Sequence, residues 1–288
     1  MLINNQHKLA ILHKYSTMNK KKNPTSDFKE LIHMISDRFN MTKEENIFQA
    51  KRILVDSIYQ EANLEGIAVT FADTEDIINN VNVNSISPKD ISKVFCLRDG
   101  WNYLFENIDK PLNLVFLEEL HEIVARFDVD YKYLGKPRTE DVLISGTNWR
   151  PSVPNIDEFV KELEAFREIK CVTELAFRVG VFLMRTQLFK DGNKRIGSFV
   201  TNKILIEKGK GIFNVPVEKN RYFKELLVDY YESNNPDKLV DWMYNNCLFG
   251  VNEIEQSLAG KLTSMVDVAN SKSKKESDQG DVRNKYCL

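Results

Sequence analysis

The usual devices of covalent and metal chemistry are scarce in this sequence. Its 288 residues include four cysteines, Cys96, Cys171, Cys247 and Cys287, widely scattered and without a C-x-x-C pair. That spacing argues against a zinc site or redox motif and for reduced, buried thiols. The four histidines, His7, His13, His33 and His121, show no metal-site spacing. His121 falls within a helical pattern, where a hydrogen-bonded structural role is expected. No apolar run reaches the length of a membrane span. The N-terminus lacks the apolar core of a secretory signal, so the expectation is a cytoplasmic protein with no membrane partner. A formal charge of −2 lacks the basic footprint of a nucleic-acid binder.

What the chain has in quantity is helical periodicity. Residues 1–24, with the run Lys20-Lys21-Lys22, read as a flexible arm. Phe28, Leu31, Ile32, Ile35 and Phe39 then trace one apolar stripe. Thr42 and Glu45 form a capping box, opening a helix expected to run through Phe48, Ile53 and Ile58 towards Gly66. Ser87-Pro88 supplies an N-cap and a first-turn proline for the next helix. The pattern recurs over 112–127 and 155–168. Mostly apolar helices are expected from Val172 to Leu183 and from Ile196 to Ile206, and others near 217–231 and 235–246. A last amphipathic stripe covers 248–270, and 271–288 read as a disordered tail.

Two stretches differ from this texture. Residues 138–154 combine the extended run Val142-Leu143-Ile144 with Gly146, Pro151 and Pro154, which reads as a β-hairpin flap inserted in a helical domain. The second is Gln187-Leu188-Phe189-Lys190-Asp191-Gly192-Asn193-Lys194-Arg195, between the two most apolar helices. Gly192 allows close backbone approach, successive amides can cradle anionic oxygens, and Arg195 can grip a phosphate with two hydrogen bonds. Asp191 is a hard oxygen ligand suited to Mg²⁺. A plain polar helix start would need fewer of these groups together.

This loop resembles the signature of the Fic family, H-x-F-x-[DE]-G-N-[GK]-R, at every fixed position but the first, where Gln187 replaces histidine. The resemblance covers roughly residues 50 to 246. It implies an all-α, Fic-type helical core over 111–247 with the inserted flap, preceded by a helical region over 25–110. It implies ATP as substrate, with Asp191 holding Mg²⁺, Gly192, Asn193 and Lys194 forming the anion hole, and Arg195 clamping phosphate. Val142, Leu143, Ile144 and Ser145 would border the nucleotide, Tyr222 and Tyr230 would lie on the adenine side, and Ser198 would join the phosphate side. An unknown target protein would dock on the flap, and self-association stays open.

The family's usual chemistry is AMP transfer to a hydroxyl of a target protein, and Gln187 cannot serve as its general base. Three readings stand: an impaired adenylyltransferase, a phosphotransferase like the relative Doc, which shares a lysine at position 194, and a non-catalytic nucleotide- or partner-binding module. Glu61-Ala62-Asn63-Leu64-Glu65-Gly66 also resembles the family's inhibitory [ST]-x-x-x-E-[GN] helix. Glu65 and Gly66 match, and Glu61 departs. The arginine that usually receives the glutamate is replaced by Ser198, so the resemblance implies either that Glu65 meets Arg195 or that the inhibition is weakened.

Overall fold

Capping signals in the sequence set most helix starts in the computed structural model, which describes residues 35–251. Thr42 and Glu45 exchange both bonds of a capping box to open α1 (Lys43–Arg52). At Ile53 the backbone leaves helical geometry, so the helix expected to continue to Gly66 is two: α1 and α2 (Leu54–Leu64). Thr70 and Asp73 form a second capping box at the start of α3 (Phe71–Ile78). Ser87 accepts from the Asp90 amide ahead of Pro88, opening the long α4 (Pro88–Glu106). Asn113 and Asn155 cap α5 (Leu114–Val124) and α6 (Ile156–Ala165) in the same way.

The central pair is α7 (Val172–Thr186) and α8 (Asn193–Glu207). These two pack closely because glycines meet. A Cβ on Gly197 would lie 2.6 Å from the Gly180 carbonyl oxygen, and one on Gly180 would lie 3.0 Å from the Gly197 oxygen. Phe177, Met184, Ile196 and Leu205 from this pair are buried in the core. Beyond them come α9 (Asn220–Ser233) and α10 (Asp237–Asn246). Among the described residues, those from Ser36 onward belong to one compact unit.

The fold is therefore mostly helical with one small sheet. That sheet pairs β1 (Ile212–Phe213) antiparallel with β2 (Leu248–Phe249), Ile212 opposite Phe249. Residues 138–154 have the expected extended run and a turn at Gly146, φ +86°, but their two limbs are not paired as strands. Pro151 and Pro154 lack the amide donors that a ladder needs, and Arg138 takes the carbonyls instead. Residues 35–40 are not helical, which corrects the end of the stripe running to Phe39. The rest of that stripe, the arm over 1–24, the stripe beyond Val251 and the tail lie outside the described residues.

Candidate functional site

Residue 187 sits where α7 must stop so that the motif loop can turn back into α8. Its backbone is left-handed, φ 50° and ψ 51°, which disfavours most residues other than glycine. Neighbouring hydrogen bonds hold it there. The Gln187 side chain donates from Nε2 to the Met184 carbonyl at 2.6 Å, and its Oε1 accepts from Asn193 Nδ2 at 3.0 Å. Both ends of the amide are thus engaged.

Asn193 folds the loop through its side-chain amide. Its Oδ1 accepts from the Phe189 amide at 2.9 Å, and its Nδ2 also donates to the Phe189 carbonyl at 2.8 Å. His121 supports the loop from α5. Its Nδ1 accepts from the Gly135 amide at 2.9 Å, which leaves Nε2–H to donate to the Asp191 carbonyl at 3.1 Å. The ring stacks on Phe189 with centroids 4.0 Å apart. Burial pushes the His121 pKa down to about 4, so it is neutral and structural, as its helical position suggested.

Gly192 begins α8 with φ +80°, and no side chain caps the helix. A Cβ there would press on Ala125 at 3.2 Å. The first-turn amides are therefore open to an anion, in the usual manner of a helix N-terminus. Asp191 beside them is well exposed, and its Oδ1 accepts from the Gly192 amide at 2.5 Å. No group of three or more His, Cys, Asp or Glu able to hold a metal occurs among the described residues. One exposed carboxylate next to open helix-start amides is nevertheless the kind of ligand that suits Mg²⁺, which typically takes one or two carboxylates with phosphate oxygens and water.

These groups meet the flap across a cleft of about 440 Å³. Val142, Leu143, Ile144 and Ser145 form one wall. Gln187, Asp191, Asn193 and Lys194 line the motif side. The third wall is α9, through Lys224, Leu227, Val228 and Tyr231. Tyr222 and Tyr230 are not among the lining residues. Tyr222 is half exposed against Trp242, and Tyr230 lines a separate cavity with Trp149 and Arg185. The cleft-lining residues 224, 227, 228 and 231 follow i, i+3, i+4, i+7, and the two tyrosines fall beside that stripe.

Arg195 is buried and surrounded by acids. Its Nη1 donates to the Val124 carbonyl at 2.5 Å and to Asp128 Oδ2. Its Nε lies 3.3 Å from Glu65 Oε2, within ion-pair distance but without an aligned hydrogen bond. Asp128 is also paired with Lys93 at 2.7 Å. Arg195 faces a smaller cavity of about 120 Å³ with Glu65, Lys93 and Asp128, and it is not among the residues lining the main cleft. Asp128 carries no sequence motif and could not have been singled out. Burial acts to raise the Asp128 pKa, but Arg195 and Lys93 outweigh it and hold it below the usual range.

Glu65 is the C-cap of α2, and the left-handed Gly66, φ +83°, turns the chain away after it. Its Oε1 is 3.0 Å from Lys194 Nζ. Burial would raise its pKa, but Lys194 and Arg195 prevail and lower it. Glu61, one turn earlier, has the opposite fate. Burial and the nearby Glu65 charge push its pKa up to about 8. Ser198 Oγ lies beside it, yet neither Ser198 Oγ nor Glu61 Oε1 has an aligned partner.

Residues 111–205 match the model of the Fic/DOC family. Solved structures agree on the fold. A Fic domain containing signaling protein from Bacteroides thetaiotaomicron is similar with a TM-score of 0.58 and 19% identity, over 71% of this chain and 86% of that one. Fic-1 (residues 134–508) from C. elegans is similar at 0.61 and 17%, over 83% and 71%. A Fic family protein from Desulfovibrio desulfuricans is similar at 0.52 and 14%, over 76% and 66%. No curated protein matches. Among the described residues no helix is long and apolar enough to cross a membrane.

Proposed function

We propose that this protein binds MgATP in the cleft between flap and motif loop as a Fic-type adenylyltransferase scaffold whose chemical step is impaired at residue 187. The observation that carries the proposal is the cleft itself. Cations, an exposed carboxylate and open helix-start amides line one side, an apolar flap lines another, and a glutamine stands at the position of the base. The match of residues 111–205 to the Fic/DOC family model supports AMP transfer as the reaction class.

In that reaction a target hydroxyl oxygen attacks the α-phosphorus, the bond from that phosphorus to the bridging oxygen breaks, pyrophosphate leaves and the hydroxyl proton passes to a base. An amide has no useful proton affinity near neutral pH, and the Gln187 amide is already tied to Met184 and Asn193. General-base catalysis is typically worth about 10²–10⁴-fold. Asp191 would hold Mg²⁺, which would neutralise phosphate charge. The flap offers unpaired extended backbone and Leu143, 76% exposed, to which a target segment could add as a strand.

Incubation with MgATP followed by intact-protein mass spectrometry tests the reading. The parent is expected to bind MgATP and gain little mass. Gln187→His is expected to gain AMP at least about ten times faster, a floor below the range for general bases. A gain of phosphate would favour the phosphotransfer that Lys194 leaves open. An inert histidine variant that still binds MgATP would favour a binding module.

A further inference from the structure

The main cleft is lined by three lysines, and two of them are already partnered. Lys194 pairs with Glu65 at 3.0 Å. Lys190 pairs with Glu140 at 3.4 Å and lies 3.7 Å from the centre of the Tyr133 ring. Lys224, on α9 across the cleft from the motif loop, has no carboxylate within ion-pair distance among the described residues. It stands near enough to Lys194 for the two charges to oppose each other, and this together with burial, the larger effect, lowers its pKa. Two like charges facing one cavity are at lowest energy with an anion between them. Arg195 is not among the residues lining the main cleft; Asp128 and Glu65 hold it in a smaller cavity that shares Asp191 with that cleft.

We propose that Lys224 is the phosphate-recognition residue of the cleft, binding the nucleotide's phosphates together with Lys194 and the first-turn amides of α8. The proposal rests on the nucleotide-binding reading above and reassigns a role within it. Arg195 becomes the anchor that seats α8, and the cation that meets the ligand comes from α9. The apolar part of the same α9 stripe, Leu227, Val228 and Tyr231, then faces the less charged end of the ligand. Lys224 is exposed, so its replacement should leave the fold intact.

Calorimetry on the full chain tests this with MgATP, AMP, adenosine and Mg-pyrophosphate as probes, each at two salt concentrations. Lys224→Gln is expected to weaken MgATP and pyrophosphate about ten-fold, the scale of a hydrogen bond to a charged group. It should leave adenosine unchanged and reduce the salt dependence of MgATP binding. Lys224→Arg should retain most of the affinity. If the parent binds MgATP and Lys224→Gln binds it equally, or loses adenosine as much as ATP, the assignment of Lys224 is overturned and the cleft reading survives. If the parent binds neither MgATP nor pyrophosphate, both are overturned.

Discussion

Arg138 Nε donates to the backbone carbonyl of Gln187 at 2.6 Å, joining the root of the flap to the residue in the base position. The same guanidinium donates to the carbonyls of Glu140, Pro151 and Ser152, and the Arg138 amide donates to Leu188 at 2.9 Å. A planar fork with five donors is well matched to four carbonyls in different directions. One buried side chain therefore gathers both flap limbs against the motif loop.

Arg138→Ala should destabilise the protein by about 3 kcal/mol or more, because it strands several carbonyls without donors. Denaturant unfolding measures that loss. Hydrogen exchange should show the flap, over 139–152, opening well before the core. Equal exchange in parent and variant would mean that the flap is held by other contacts.

Glu65→Gln should raise affinity for MgATP on the order of ten-fold, and for AMP much less. Glu65 occupies Lys194 and adds negative charge where the terminal phosphates would sit. Titration calorimetry of the two nucleotides gives the ratio. An unchanged ratio would show Glu65 to be a structural ion pair only.

Glu61 should give stability a pH dependence of defined sign. Its folded pKa, about 8, lies above the ordinary value of 4.5, so the folded state holds a proton that the unfolded chain has lost. Its contribution is fully present below pH 4.5 and declines as pH rises towards 8, with a slope of at most about 1.4 kcal/mol per pH unit. Glu61→Gln should remove that decline, so that parent and variant diverge at pH 8–9. Unfolding curves from pH 5 to 9 would reveal it. Parallel curves would mean that water reaches Glu61.

Gly180→Ala should cost about 1–3 kcal/mol through overpacking. The new Cβ would fall 2.0 Å from Thr201 Oγ1 and 3.0 Å from the Gly197 oxygen. Thr201 can rotate, but the facing backbone of α8 must move. Thermal unfolding is the check, and a neutral result would show that α7 and α8 separate easily.

The motif loop was legible in sequence because its chemistry is local: residues 187–195 carry the turn, the helix start and the carboxylate consecutively. The approach of Glu65 to Arg195 was legible from the pairing of two spaced motifs and the loss of the usual arginine at 198. On α9 the cleft is lined at 224, 227, 228 and 231, a helical spacing, and Tyr222 and Tyr230 fall outside it. The roles of Asp128 and Arg138 could not be read at all. Each depends on where a loop returns in space, and no local pattern encodes that. The break at Ile53 escaped for a related reason, since Ile53 carries no glycine or proline to mark it.

The seat of Glu65 at the very end of α2 carries a last consequence. A ligand that takes Lys194 from Glu65 must loosen the grip of α2 on the core. Reciprocity then requires that whatever tightens α2 weakens that ligand by the same factor. If nucleotide binds as proposed, the outer face of α2 would thereby be a handle on its affinity. A molecule that touched only that face would be felt at the phosphate site without entering it.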